Sequence, residues 1–233
     1  MTLLSVRGLT RVYRSGTDEV HALRGIDLDL LAGELIVLIG PSGSGKSTLL
    51  NLLGGLDRPD AGEMRFRGEE LTRLDERALA LYRRRHVGFV FQFYNLLPSL
   101  TARENVELGA QGTAQPMGAA EALELVGLGA RLDHFPAQLS GGEQQRAAVA
   151  RAIAKRPEIL LCDEPTGAVD ASTGVQVLEV IERCSRELGT LTVLVTHNTM
   201  ITAMGERVLA LAGGRIAAAR RNPARRQARE LSW

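Results

Sequence analysis

The sequence predicts an α/β fold with an all-helical block set into it, and three observations carry that reading. An apolar run, Leu35-Ile-Val-Leu-Ile39, leads into Gly40-Pro-Ser-Gly-Ser-Gly-Lys46-Ser47-Thr48 and then into Leu49-Leu50-Asn51-Leu52-Leu53, the order strand, glycine loop, helix. A second apolar run, 159–162, ends in Asp163-Glu164. Both runs are apolar on either face and read as buried parallel strands. Between Thr101 and Arg156 no strand signal appears.

The elements follow in order. Short runs rich in β-branched or apolar residues predict strands at 3–12, 26–31, 35–39, 63–66 and 87–91, and later at 159–162, 192–195 and 208–211. Thr101-Ala-Arg-Glu104 and Ser140-Gly-Gly-Glu143 read as capping boxes that open helices. Gly127, Gly129 and Pro136 divide the helical block. Arg83-Arg-Arg85 reads as the solvated end of a helix, where cations suit the dipole.

Composition bounds the class. At 233 residues the chain can bury a sizeable core, and 45% of it is hydrophobic. No apolar run approaches the ~18 residues a membrane span needs, and the first residues lack the charged start and apolar core of a secretion signal. The cysteines are Cys162 and Cys184, expected as free thiols in a reducing compartment. A formal net charge of +1 gives no reason for steering toward nucleic acid. Lysine occurs only as Lys46 and Lys155, so a lysine in the glycine loop is not compositional background.

Three sites carry chemistry. In the loop, Gly40, Gly43 and Gly45 let backbone N–H groups turn inward around a phosphate, and Ser42 stands among them. The following helix adds its positive end, Lys46 reaches the β- and γ-phosphates, and Ser47, with Thr48 beside it, offers a hydroxyl to Mg²⁺. Asp163 and Glu164 close a strand at the carboxyl edge of the sheet, where Asp163 suits Mg²⁺ and Glu164 suits an attacking water. Leu139-Ser-Gly-Gly-Glu-Gln-Gln-Arg146 makes a second anion cup, from a helix cap at Ser140 and two glycines, Gly141 and Gly142.

These three motifs together resemble the nucleotide-binding subunit of an ATP-binding cassette (ABC) transporter, with Glu143 where many members carry glutamine. The resemblance runs from Leu3 to about Ile216. It implies a P-loop NTPase core of ABC type, with an inserted all-helical subdomain and an N-terminal antiparallel β region. As domains it implies one ABC ATPase domain over 1–233: core at 1–92 and 157–216, helical subdomain at 93–156, basic tail at 217–233. It implies that Gln92 senses Mg²⁺ and the attacking water, that His197 contacts the γ-phosphate, and that Tyr13 stacks on adenine. Gly167-Ala-Val-Asp170 resembles the family's D-loop, with Val169 where leucine is usual, and places Asp170 near nucleotide. The motifs' surroundings (Glu164-Pro-Thr-Gly167, Phe91-Gln-Phe-Tyr-Asn-Leu-Leu97, Val195-Thr-His-Asn198) are similar to the branch serving lipoprotein release, macrolide efflux and antimicrobial-peptide export.

The resemblance further implies ATP and Mg²⁺ as cofactors and a head-to-tail homodimer. Each ATP would lie between the loop of one copy and Ser140–Gly142 of the other. It implies a separate membrane permease, a place on the inner face of the cell membrane, and no contact with the transported substrate. Two other readings are a cassette acting on nucleic acid, disfavoured because no coiled coil or second cassette is present, and a regulator of a cell-wall hydrolase. The apolar, aromatic run after Gln92, with Tyr94 and Leu97, is expected to dock the permease. His21, His86 and His134 lack metal-ligand spacing. The arginine-rich tail from Arg215 to Trp233 is expected to be a solvated or frayed extension, the other reading being contact with anionic lipid headgroups beside the permease.

Overall fold

A computed structural model describes residues 1–16 and 18–231. Strands β1 (Thr2–Ser15) and β2 (Asp18–Leu31) form a long antiparallel hairpin. Strand β3 (Leu35–Ile39) leads to helix α1 (Lys46–Leu53). Next come β4 (Ala61–Phe66), the two-residue β5 (Glu69–Glu70), α2 (Glu76–His86) and β6 (Val87–Val90). Helices α3 (Ala102–Ala110), α4 (Ala119–Leu125) and α5 (Gly141–Ile153) fill the stretch in which no strand was expected. The chain then runs through β7 (Ile159–Asp163), α6 (Ala171–Leu188), β8 (Leu191–Thr196), β9 (Arg207–Ala212) and β10 (Arg215–Arg221).

The strands make two sheets. One is antiparallel, in the order β2-β1-β4-β5. The other runs β10-β9-β3-β8-β7-β6 and is parallel except for β10. The unbroken apolar runs are explained by this second sheet. Strand alternation sends Leu35 and Val37 of β3 into one hydrophobic core and Ile36 and Leu38 into another. Strand β7 divides likewise, Leu160 and Cys162 against Ile159 and Leu161. The first core also holds Val106, Leu123 and Val149 of the helical block with Val177 and Ile181 of α6. The second joins the sheet to α1 and the antiparallel sheet. Covered on both faces, the sheet has no polar side to alternate with.

The expected capping boxes at Thr101/Glu104 and Ser140/Glu143 are both formed. The tail departs from expectation. Arg215–Arg221 is not frayed but pairs along β9, with Ala219 opposite Leu209. Beyond it, Asn222 Nδ2 donates to the Thr202 and Gly205 carbonyls at 2.8 and 2.7 Å. Ala228 N–H donates to the buried Glu182 carboxylate at 3.0 Å, and Ala228 and Leu231 are buried. Edge pairing and these anchors outweigh the charge of the arginines, and the strand crosses the expected boundary at 216/217. The end of that tail, residues 232–233, lies outside the described residues.

Candidate nucleotide site

The glycine loop lies at the carboxyl end of β3, as a parallel sheet positions its ligand crevice. Backbone contact dictates its glycines. A Cβ on Gly40 would strike the Leu211 carbonyl, and one on Gly45 would strike the Ala22 carbonyl. Gly45 also has φ of 102° and caps α1 with no side chain, so no side-chain cap engages the first-turn N–H groups. Lys46 is buried and its Nζ donates to the carbonyls of Gly40 and Pro41 at 2.8 and 3.0 Å. Ser42 and Gly43 are exposed, and Thr48 is half-buried.

Three neighbouring strands contribute the polar centre. Ser47 Oγ, after β3, donates to Asp163 Oδ1 of β7 at 3.2 Å. Burial raises the Asp163 carboxyl above its ordinary value, Glu164 raises it further, and Ser47 and Lys46 oppose the rise. Glu164 Oε1 lies 3.0 Å from Nδ1 of His197, which follows β8. Glu164 has φ of 47°, a left-handed backbone, and its N–H is tied to the Val195 carbonyl at 3.0 Å.

Gln92 follows β6 and packs its side chain against Gly167, where an added Cβ would sit 2.9 Å from Nε2. It therefore borders the segment just after Glu164. Lys46, Ser47, Asp163, Glu164, His197 and Gln92 thus gather at one edge of the sheet. Ser140, Gly141 and Gly142 do not join them within the chain. A Cβ on Gly142 would strike Thr173 of α6, and one on Gly141 would sit 2.8 Å from the Tyr94 hydroxyl. Asp170 caps α6, accepting from Ser172 Oγ at 2.6 Å and Thr173 N–H at 3.1 Å. Those bonds, Ser172 first, hold its carboxyl well below the usual range. Tyr13 lies on the β1–β2 hairpin with its hydroxyl donating to Asp57 at 2.9 Å and the Arg11 guanidinium 4.7 Å from its ring centre.

Residues 23–167 match the family model described as "ABC transporter". The chain belongs to the ABC transporter family. A Geobacter metallireducens lipoprotein-releasing system ATP-binding protein, LolD, is 49% identical over 93% of this chain and 99% of that one. The Aeromonas hydrophila macrolide export ATP-binding/permease protein MacB 1 is 46% identical over 94% of this chain but only 34% of its own length. Among solved structures, the dimeric post-hydrolysis state of the ATP-binding cassette MJ0796 with ADP and Pi superposes with a TM-score of 0.86. It is 38% identical, covering 94% of this chain and 98% of that one.

Two features of the cassette escaped the sequence reading. Gln145 of α5 is fully buried, and its Nε2 donates to the carbonyls of Phe91 and Pro165 at 3.1 and 2.8 Å. One side chain of α5 therefore holds the residues beside Gln92 and Glu164. Arg151, also of α5, donates to the carbonyls of Tyr94 (2.9 Å) and Asn95. A polar residue inside the alanine-rich stripe of α5 is the signal that could have found Gln145.

Proposed function

We propose that this cassette hydrolyses ATP as a head-to-tail homodimer and drives a separate membrane permease. The observation that supports it best is the pair of contacts Ser47–Asp163 and Glu164–His197, set at the carboxyl ends of three neighbouring parallel strands. The open N-terminus of α1 and Lys46 suit the β- and γ-phosphates of ATP. The paired hydroxyl and carboxylate of Ser47 and Asp163 fit Mg²⁺, which takes oxygen ligands and keeps several waters. Bound there, Mg²⁺ would offset charge on the phosphates, with Gln92 beside it.

Glu164 then takes the proton of the attacking water, and His197 orients it and reaches the γ-phosphate. Ser140, Gly141 and Gly142 would close over the nucleotide of a second copy, with Asp170 near the same junction. Tyr13, 40% exposed, offers a ring face to adenine. The lipoprotein-release and macrolide-export names of the relatives support an exporter or extractor in that branch, held on the inner face of the membrane by its permease. Among the described residues no helix is long and apolar enough to cross a membrane. No role on nucleic acid is included.

Docking on the permease fits Phe93 and Leu97, which are 72% and 45% exposed. Tyr94 is half-buried against Gly141, so polar replacements at Phe93 and Leu97 test docking more cleanly. They should leave ATP hydrolysis and melting temperature unchanged while the permease no longer co-purifies. The central test is Glu164→Gln. ATP binding should persist, turnover should fall by a factor on the order of 10²–10⁴, and gel filtration with ATP should shift toward dimer. Turnover near the parent's would assign the proton transfer elsewhere.

A further inference from the structure

A cleft of about 500 Å³ lies on the helical side of the molecule, between α5, α6 and the folded-back tail. Arg146 of α5, Arg183 and Arg186 of α6, and Arg229 of the tail line it. Among the residues that line it, four arginines stand with two carboxylates, Glu179 and Glu182, in a chain whose overall charge is only +1. Glu182 is already engaged, accepting the Ala228 N–H that pins the tail. Spacing on α6 puts Glu179 one turn from Arg183 and Glu182 one turn from Arg186. Yet, among the described residues, neither arginine forms an ion pair, and the buried Nε of Arg183 has no hydrogen-bond partner. Arg146 bonds only a neutral group, Gln176 Oε1, at 3.2 Å.

Arginines that line one concavity and have no ion-pair partner among the described residues suit an anion, because their planar forks bind phosphate oxygens in pairs. Among the described residues that line the cleft none is aromatic, so the chemistry they offer is for phosphate oxygens rather than for a base. We propose that this cleft binds a small soluble polyphosphate, through its phosphate groups alone. Such a ligand would tie α5 through Arg146 to α6 and to the tail through Arg229. The site is separate from the nucleotide site and does not rest on the ATPase reading.

The test is calorimetric titration of inorganic tripolyphosphate into the full chain and into Lys46→Ala, which impairs the glycine loop. A site that survives Lys46→Ala and weakens at least about tenfold in Arg183→Gln and in Arg186→Gln is expected. Bound tripolyphosphate should also raise the melting temperature of Lys46→Ala, and not of Lys46→Ala combined with either arginine change. Arg186 is exposed, so its variant keeps the test valid if Arg183→Gln alone disturbs folding. Absence of binding, indifference to both arginine changes, or loss of all binding in Lys46→Ala would overturn the proposal. Sedimentation with cardiolipin vesicles separates the other source of clustered phosphate. Pelleting of Lys46→Ala with vesicles while tripolyphosphate gives no heat with it would assign the arginines to a lipid surface and overturn the soluble ligand.

Discussion

Helices α1 and α5 both open beside glycines and both turn a positive end toward a would-be phosphate, but they are capped differently. Helix α1 starts at Gly45 with no side-chain cap, so a single chain presents open N–H groups and a lysine. Helix α5 starts at Ser140, whose Oγ accepts from Glu143 N–H at 3.2 Å while Glu143 accepts from Ser140 N–H at 2.8 Å. The second cup is already satisfied by its own residues. It also carries a carboxylate, held below its ordinary value by the Ser140 N–H and offset by Arg131 at 3.1 Å. The first end is open to a ligand; the second is closed by its own residues and stable alone, and in the proposed dimer its hydroxyl would face a phosphate held by the other copy.

Disabling the open end should have the larger effect. Lys46→Ala should weaken ATP binding by a factor on the order of 10–100, the worth of one or two charge-assisted hydrogen bonds. Equilibrium binding of a fluorescent ATP analogue checks it, and unchanged affinity would remove Lys46 from the phosphate contact. Ser140→Ala should act on both properties of the closed end. It should lower stability by about 1 kcal/mol through the lost cap, leave ATP affinity of the dilute chain unchanged, and reduce turnover at high protein concentration. Weaker ATP binding by the dilute variant would mean the two cups meet within one chain.

Glu143→Gln should have a smaller effect still. Glutamine keeps the capping box and removes the charge, so ATP-driven dimerisation should tighten several-fold with little change in melting temperature. Dimerisation weakened by this change would mean the carboxylate is needed across the interface. Acid reports on the same residue. A carboxyl depressed in the folded chain stabilises it fully above the unfolded value, near 4.5, and loses that contribution as pH falls through the folded value. Glu143→Gln should therefore flatten the stability loss below pH 4.5, measured by thermal melts across the acid range.

What was legible in the sequence was whatever a single local rule governs. Strand β3 was read residue for residue because burial on both faces leaves no ambiguity of period. The capping boxes were legible because both partners lie three residues apart. Strand β10 was not, since its exposed Ala and Arg residues carry no strand pattern and are ordered by the free edge of β9. Asp170 was read for its neighbourhood, whereas capping of α6 engages its carboxylate. Gln145 was invisible because its partners, the carbonyls of Phe91 and Pro165, are brought to it only by tertiary packing.

The left-handed backbone at Glu164 has a consequence for how such a chain can change over generations. A side chain at φ of 47° costs on the order of 1 kcal/mol that glycine would not incur. On backbone strain alone a glycine would sit more easily here, so keeping a glutamate is a local cost to stability that the proposed role in ATP hydrolysis would justify.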